Sequence, residues 1–262
     1  MPLTAHLEEL RTRMIRILVV LGIGFVACYA FKDDLFAIIT HPLRGALPAN
    51  SFMIYTNLPE AFFIHMKIAF FASLFLTAPF TLYQIWKFIS PGLFPEEKHY
   101  VVPFVVTASL LFIAGILFGY FIVLPPAFAF FMTFSSDMLK PMISFREYIS
   151  LLLKFLLAFG ISFELPVFLF FLAKIGLVNA KMLSRYRRYA ILAIFVAAAI
   201  LTPTPDVVTQ TLMALPMMLL YEIGIIAARF AGKKKPVPMP PEDDDTAEAE
   251  TESGDIVPHA DQ

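Results

Sequence analysis

The sequence predicts an all-α integral membrane protein with six transmembrane helices, and three observations carry that expectation. Hydrophobic residues are 59% of the 262 and aromatics 15%, with a mean hydropathy of +0.75, more apolar surface than a soluble domain of this length buries or exposes. Six stretches approach the roughly 20 apolar residues that a helix needs to cross a bilayer core. Backbone polar groups cannot stay unpaired in hydrocarbon, and the alternating segments of about ten residues that build a membrane β-barrel are absent from the sequence.

The expected spans cover residues 14–31, 61–89, 100–124, 148–173, 188–201 and 206–229. The last two are expected to be short. Ahead of the first, Leu3, Leu7, Leu10 and Met14 recur at three- and four-residue spacing and define one face of a small amphipathic helix. Glu9 points about 200° away from Leu7, toward a partner or toward Arg13 one turn on. The first span begins too far inside the chain, and lacks the small-residue pattern, for a cleaved signal peptide, so it reads as a permanent anchor.

Between the first and second spans, residues 32–60 are long enough for a short helix along the membrane surface, with Pro42, Pro48 and Pro59 marking turns. Residues 125–147 are similar, and the two stretches together predict a periplasmic cap. Between the second and third spans, Ser90-Pro91-Gly92-Leu93 makes a tight reversal that holds Glu96 and Glu97 near the headgroups. Gly115 and Gly119 are spaced for close helix approach. Lys67 and Lys154 lie inside spans, where they snorkel or line the bundle interior, with a carboxylate as an alternative partner for Lys154.

Orientation follows from Lys and Arg in alternate loops. The N-terminal arm, the second-to-third and fourth-to-fifth joints and the C-terminal flank hold fourteen, and the opposite loops hold four, Lys32, Arg44, Lys140 and Arg146. Both termini are therefore expected in the cytoplasm. The formal charge of −1 conceals a division, because nine acids and no Lys or Arg follow Lys235. Residues 1–231 read as the membrane domain, and 232–262, rich in Pro and acids, as a disordered cytoplasmic tail.

The placement of acids bears on function. Glu8-Glu9 and Glu96-Glu97 sit beside cytoplasm-facing ends, where membrane proteins usually carry Lys and Arg, and acids there suit a cationic guest. Glu164 lies about ten residues, roughly 15 Å, inside the fourth span. A carboxylate at that depth needs a hydrated concavity or a partner, and Pro166 beside it bends the helix. The single Cys, Cys28, permits no internal disulfide and no cysteine metal cage; no cofactor is expected.

Four blocks, in order, resemble the TatC family of the twin-arginine protein translocase. They are His6-Leu7-Glu8-Glu9-Leu10-Arg11, then Ser90-Pro91-Gly92-Leu93 with Glu97 before Val101-Val102-Pro103, then Phe159-Gly160-Ile161-Ser162-Phe163-Glu164-Leu165-Pro166, then Leu201-Thr202-Pro203 through Pro205-Asp206 with Gln210. The likeness covers about residues 3–231. It implies a receptor rather than an enzyme, in the cytoplasmic membrane of a prokaryote. Such a receptor binds twin-arginine signal peptides of folded cargo and assembles with single-span TatA-like and TatB-like proteins, and with further copies of itself, for export driven by the proton-motive force. By register, the resemblance implies that Glu9 and Glu97 receive the signal arginines, with Arg11 a functional neighbour. Glu164 matches the acid of the fourth span, and Asp206 the acid of the last periplasmic turn. Pro95-Glu96 departs from a more basic family stretch, which brings Glu96 into consideration beside Glu97.

Two other classes fit less well. A proton- or ion-coupled small-solute transporter would also use Glu164 and Lys154, but it leaves the paired cytoplasmic acids without a task. An intramembrane protease needs a nucleophile and base or an aspartate dyad, and the sequence has no HExxH or GxSxG motif. Nucleotide-binding glycine loops and long internal repeats are likewise absent from the sequence.

Overall fold

The computed structural model describes residues 3–46, 53–54, 57–89, 101–133, 143–202 and 206–231. Nearly all are helical. The order is α1 (Leu3–Ala30), α2 (Lys32–Ala46), β1 (Met53–Ile54), α3 (Glu60–Ile89), α4 (Val101–Phe118), a π turn (Gly119–Val123), α5 (Leu124–Met132), β2 (Ile143–Ser144), α6 (Phe145–Phe163), α7 (Leu165–Lys174), α8 (Ala180–Arg185), α9 (Arg187–Leu201) and α10 (Val207–Phe230). Among the described residues, five segments are long and apolar enough to cross a membrane: Thr4–Ala30, Glu60–Ile89, Val102–Met132, Phe145–Lys174 and Val207–Phe230.

Three of the expected boundaries move. The N-terminal arm is not a separate helix, because α1 runs unbroken for 28 residues; no Pro or Gly interrupts it before Gly22, so nothing stops helix propagation into the span. The third span passes Leu124 rather than ending there. Its π turn shifts the hydrogen-bond register, with Leu124 N–H reaching Gly119 O, and Pro125 and Pro126 then fall in the first turn of α5, where absent N–H groups cost little. The sixth span is not short. At 24 residues α10 rises about 36 Å, enough to cross, and Pro216 is carried within it as membrane helices allow. α9, with 15 residues, rises only about 22 Å and is the short element expected.

α6 and α7 are central: 56% of their most apolar stretch is buried against 17% for α1. α1 packs along α3, α4 along α6, and α7 along α10. Lipid tails are as apolar as Leu, so helix association here depends on close packing rather than on leaving water. The glycines supply it. A Cβ at Gly115 would lie 2.6 Å from Phe159 O, and one at Gly119 would lie 3.0 Å from the Phe159 ring, so both allow α4 onto α6. Phe159 fills that seam and, like Phe155 packed beside it on α6, is fully buried, with Ile149, Leu152, Met213 and Ile225 in the same core.

At the end of the bundle where α1 stops, the two surface stretches meet. Tyr120 OH donates to Ile38 O at 2.6 Å and Tyr148 OH to Ile39 O at 2.9 Å, which fasten α2 down. β1 and β2 pair in parallel, Met53 with Ile143 and Ile54 with Ser144, a two-residue bridge between the two stretches.

Candidate functional site

At the opposite end, the start of α1 is clamped to the end of α3. Arg13 is buried, and its Nη1 donates to Gln84 Oε1 at 3.1 Å. Its Nε donates to Glu9 Oε1 at 3.0 Å, and its Nη2 to the same oxygen. One turn nearer the N-terminus, His6 stacks on Phe88 with ring centroids 4.3 Å apart. Lys87 lies over the Tyr83 ring at 5.6 Å. Glu9 is half-buried, and Glu8 and Arg11 are exposed.

The physical sense of this end lies in Arg13. Burying a guanidinium is expensive unless its charge is paired and its donors are satisfied. Glu9 supplies the charge from one turn away and Gln84 a neutral acceptor from the facing helix. The result is a carboxylate that already accepts an arginine side-on, held in place rather than swinging freely. No described residue bonds its other oxygen, Oε2.

Glu164 sits where the fourth span breaks. It ends α6 and begins α7. Its carbonyl accepts Phe168 N–H at 2.9 Å, and Pro166 follows in the first turn of α7, so the helix is interrupted next to Pro166. Its Oε1 is buried without a hydrogen-bond partner among the described residues. Pro166 also lines an apolar groove of about 420 Å³ between α4, α7 and α10, with Phe104, Leu111, Phe170 and Ile223.

Asp206 and Gln210 come together at the start of α10, where Gln210 N–H donates to Asp206 O at 3.1 Å. Asp206 Oδ1 accepts Thr209 N–H at 2.7 Å and caps α10. Gln210 Nε2 donates to Phe195 O at 3.0 Å and ties α10 to α9. Glu96 and Glu97 lie outside the described residues.

Sequence reasoning missed Gln84, a lone amide in an otherwise apolar helix; its polarity inside a span was the available signal. It also missed the Arg187–Glu222 pair, Nη2 to Oε2 at 2.7 Å, which joins the start of α9 to α10. Lys154 is exposed and meets no carboxylate among the described residues.

Residues 5–216 match the family model of the Sec-independent protein translocase protein TatC. A TatC protein of Desulforapulum autotrophicum is 50% identical over 234 residues, 89% of this chain and 86% of the relative. That of Escherichia coli K12 is 39% identical over 229 residues, 87% of this chain and 88% of the relative. A crystal structure of the twin arginine translocase receptor TatC superposes with a TM-score of 0.77 at 39% identity, covering 87% of this chain and all of that one. With helices fit to cross a bilayer and a match over most of its length, the chain is an integral membrane protein and belongs to the TatC family of Sec-independent protein translocase proteins.

Proposed function

We propose that the chain is the receptor of a twin-arginine export system and binds the signal peptides of folded cargo at the end of the bundle carrying Glu9. The observation that carries this reading is the Glu9 carboxylate, which already accepts the Arg13 guanidinium through two of its nitrogens. A signal arginine needs the same chemistry, a planar fork on a carboxylate, and a Lys would keep the charge but lose the fork.

Two arginines call for two acids. Glu97 is the second, with Glu96 beside it; Glu97 is the eighth residue past the end of α3, a reach of at most about 28 Å when fully extended. Arg11, exposed two residues past Glu9, steers the peptide chain without competing for Arg13's carboxylate. Both termini lie in the cytoplasm, α9 and α10 complete a count of six passes, and the membrane is the cytoplasmic membrane of a prokaryote. Residues 1–231 are the working domain and 232–262 an appended acidic tail. The protein binds and assembles rather than catalyses.

Glu164 offers a polar docking point inside the bilayer for a single-span TatA-like or TatB-like partner. Its buried, unbonded Oε1 and the groove beside Pro166 support that role. Asp206 and Gln210 fix the α9–α10 turn that such a partner meets on the far side. The test is a twin-arginine peptide carrying a photoreactive group next to its arginines. Adducts on the first turns of α1 and on residues 90–100 support the reading, and adducts confined to the opposite end overturn it.

A further inference from the structure

Three cations gather on α3 and α6 at the end of the bundle where those helices begin, and the function above uses none of them. Lys67 Nζ donates to Ser150 Oγ at 2.7 Å, and Ser150 Oγ donates to Arg146 O at 2.6 Å. Lys154 and Arg146 are close enough to Lys67 to act on its charge. None of the three side chains forms an ion pair among the described residues.

Among the described residues lining this space, one is an acid. Glu60 is buried, and its two oxygens accept the backbone N–H groups of Asn57 and Arg146, each at 3.2 Å. Its carboxylate anchors backbone at both oxygens, and among the described residues lining the space Lys67 and Arg146 outnumber it. A cavity of about 590 Å³ opens here, lined by Asn57, Glu60, Phe63, Lys67, Arg146 and Ser150.

Lys67 also borders a second space. A shallow apolar groove of about 450 Å³ runs between α1 and α3, lined by Leu18, Leu21, Gly22, Phe25 and Phe70 together with Lys67. Lys67 is seven residues into α3, about 10 Å below its first residue, near the depth where headgroup gives way to acyl chain. A cationic cavity and an apolar groove thus meet at one side chain.

We propose that cavity and groove together hold one anionic glycerophospholipid, in the leaflet opposite the one beside Glu9. Its phosphate rests on Lys67 and Arg146, and one acyl chain follows the groove past Gly22. The groove selects a lipid over a free phosphate, which has nothing to place against Leu18 and Phe25. The surplus of positive charge selects an anionic headgroup over a zwitterionic one.

The experiment titrates the protein in a nonionic detergent with phosphatidylglycerol or with phosphatidylcholine and counts bound lipids by native mass spectrometry. The wild type is expected to retain one phosphatidylglycerol at about a tenfold lower concentration than phosphatidylcholine. Lys67→Gln combined with Arg146→Gln brings the two lipids within about twofold of each other. Gly22→Leu tests the groove without touching charge: a Cβ there meets nothing within 4 Å, so the new side chain enters open space, and retention of both lipids falls severalfold. Glycerol 1-phosphate does not displace the lipid at matched concentration. A preference that survives the double substitution, a Gly22→Leu protein that retains lipid as before, or displacement by glycerol 1-phosphate each overturns the proposal.

Discussion

Arg13 Nη1 donates to Gln84 Oε1 at 3.1 Å across 71 residues of sequence, so the arginine that holds Glu9 is itself held by α3. Glu9 is therefore positioned by a helix it does not belong to. Gln84→Leu removes the acceptor and leaves a buried donor unsatisfied. The expected cost is about 1–3 kcal/mol of stability, read as a lower thermal midpoint in detergent. Weaker capture of a twin-arginine peptide accompanies it, because Arg13 and Glu9 lose their fixed position. A midpoint and an affinity that both stay at wild-type values would show that the Arg13–Gln84 bond positions nothing.

The seam between α4 and α6 makes a separate prediction. Gly115→Ala drives a Cβ to 2.6 Å from Phe159 O and 2.9 Å from the Phe163 side chain. Backbone cannot yield as a side-chain tip can, so the helices part, at a cost of about 1–3 kcal/mol. Gly22→Ala, with open space around it, is the matched control and does not lower the midpoint, since Ala favours a helix interior over Gly. Equal midpoints for the two variants would contradict the packing argument.

How much was legible in the sequence follows from the range of the interactions involved. The Gly115 and Gly119 spacing announced a close approach because both residues lie on one face of one helix. The short α9 was legible because Arg188 and Pro203 bound its apolar run. The helix break at Glu164 was legible from Pro166. What stayed hidden depends on residues far apart in the chain. Gln84 reads as one amide among apolar neighbours until α1 is laid against it, and Arg187 gives no sign of Glu222, 35 residues away. The continuation through Pro125-Pro126 was missed for a local reason: two prolines read as a loop unless a π turn has first changed which N–H groups are needed. At the candidate site, the sequence marked Glu9 but not what fixes it.

For α9, 15 residues rise about 22 Å against a hydrocarbon core of about 30 Å. The bilayer beside it is expected to be locally thinner, because α9 has too few residues to tilt across the full thickness. Spin labels placed along its exposed positions, such as Leu192, Val196 and Ile200, report depth through oxygen and nickel accessibility. Every label within reach of one interface or the other is the expected profile. A label at the mid-depth of an unthinned bilayer, with normal thickness beside it, would contradict this.

Glu164→Ala should leave peptide binding intact while reducing crosslinks to a TatA-like or TatB-like span and reducing export. Glu164→Gln should be milder, since an amide keeps the hydrogen-bonding capacity of the buried Oε1 position. Peptide and partner crosslinking measured on the same preparation separate the two steps. Wild-type partner contacts and export in the Ala variant would reduce Glu164 to a helix-break residue.

The most direct test of the central claim is a double-mutant cycle between Glu9 and the signal. Affinity is measured for wild type and Glu9→Gln, each against a twin-arginine peptide and against peptides with Lys at one or the other arginine. Glu9→Gln keeps size and hydrogen bonding but removes the charge that the guanidinium needs. The account predicts a coupling of about 1.5–3 kcal/mol with one of the two arginines and little with the other, which is left to Glu97. Additive effects at both positions, within about 0.5 kcal/mol, would mean that Glu9 does not touch the signal arginines.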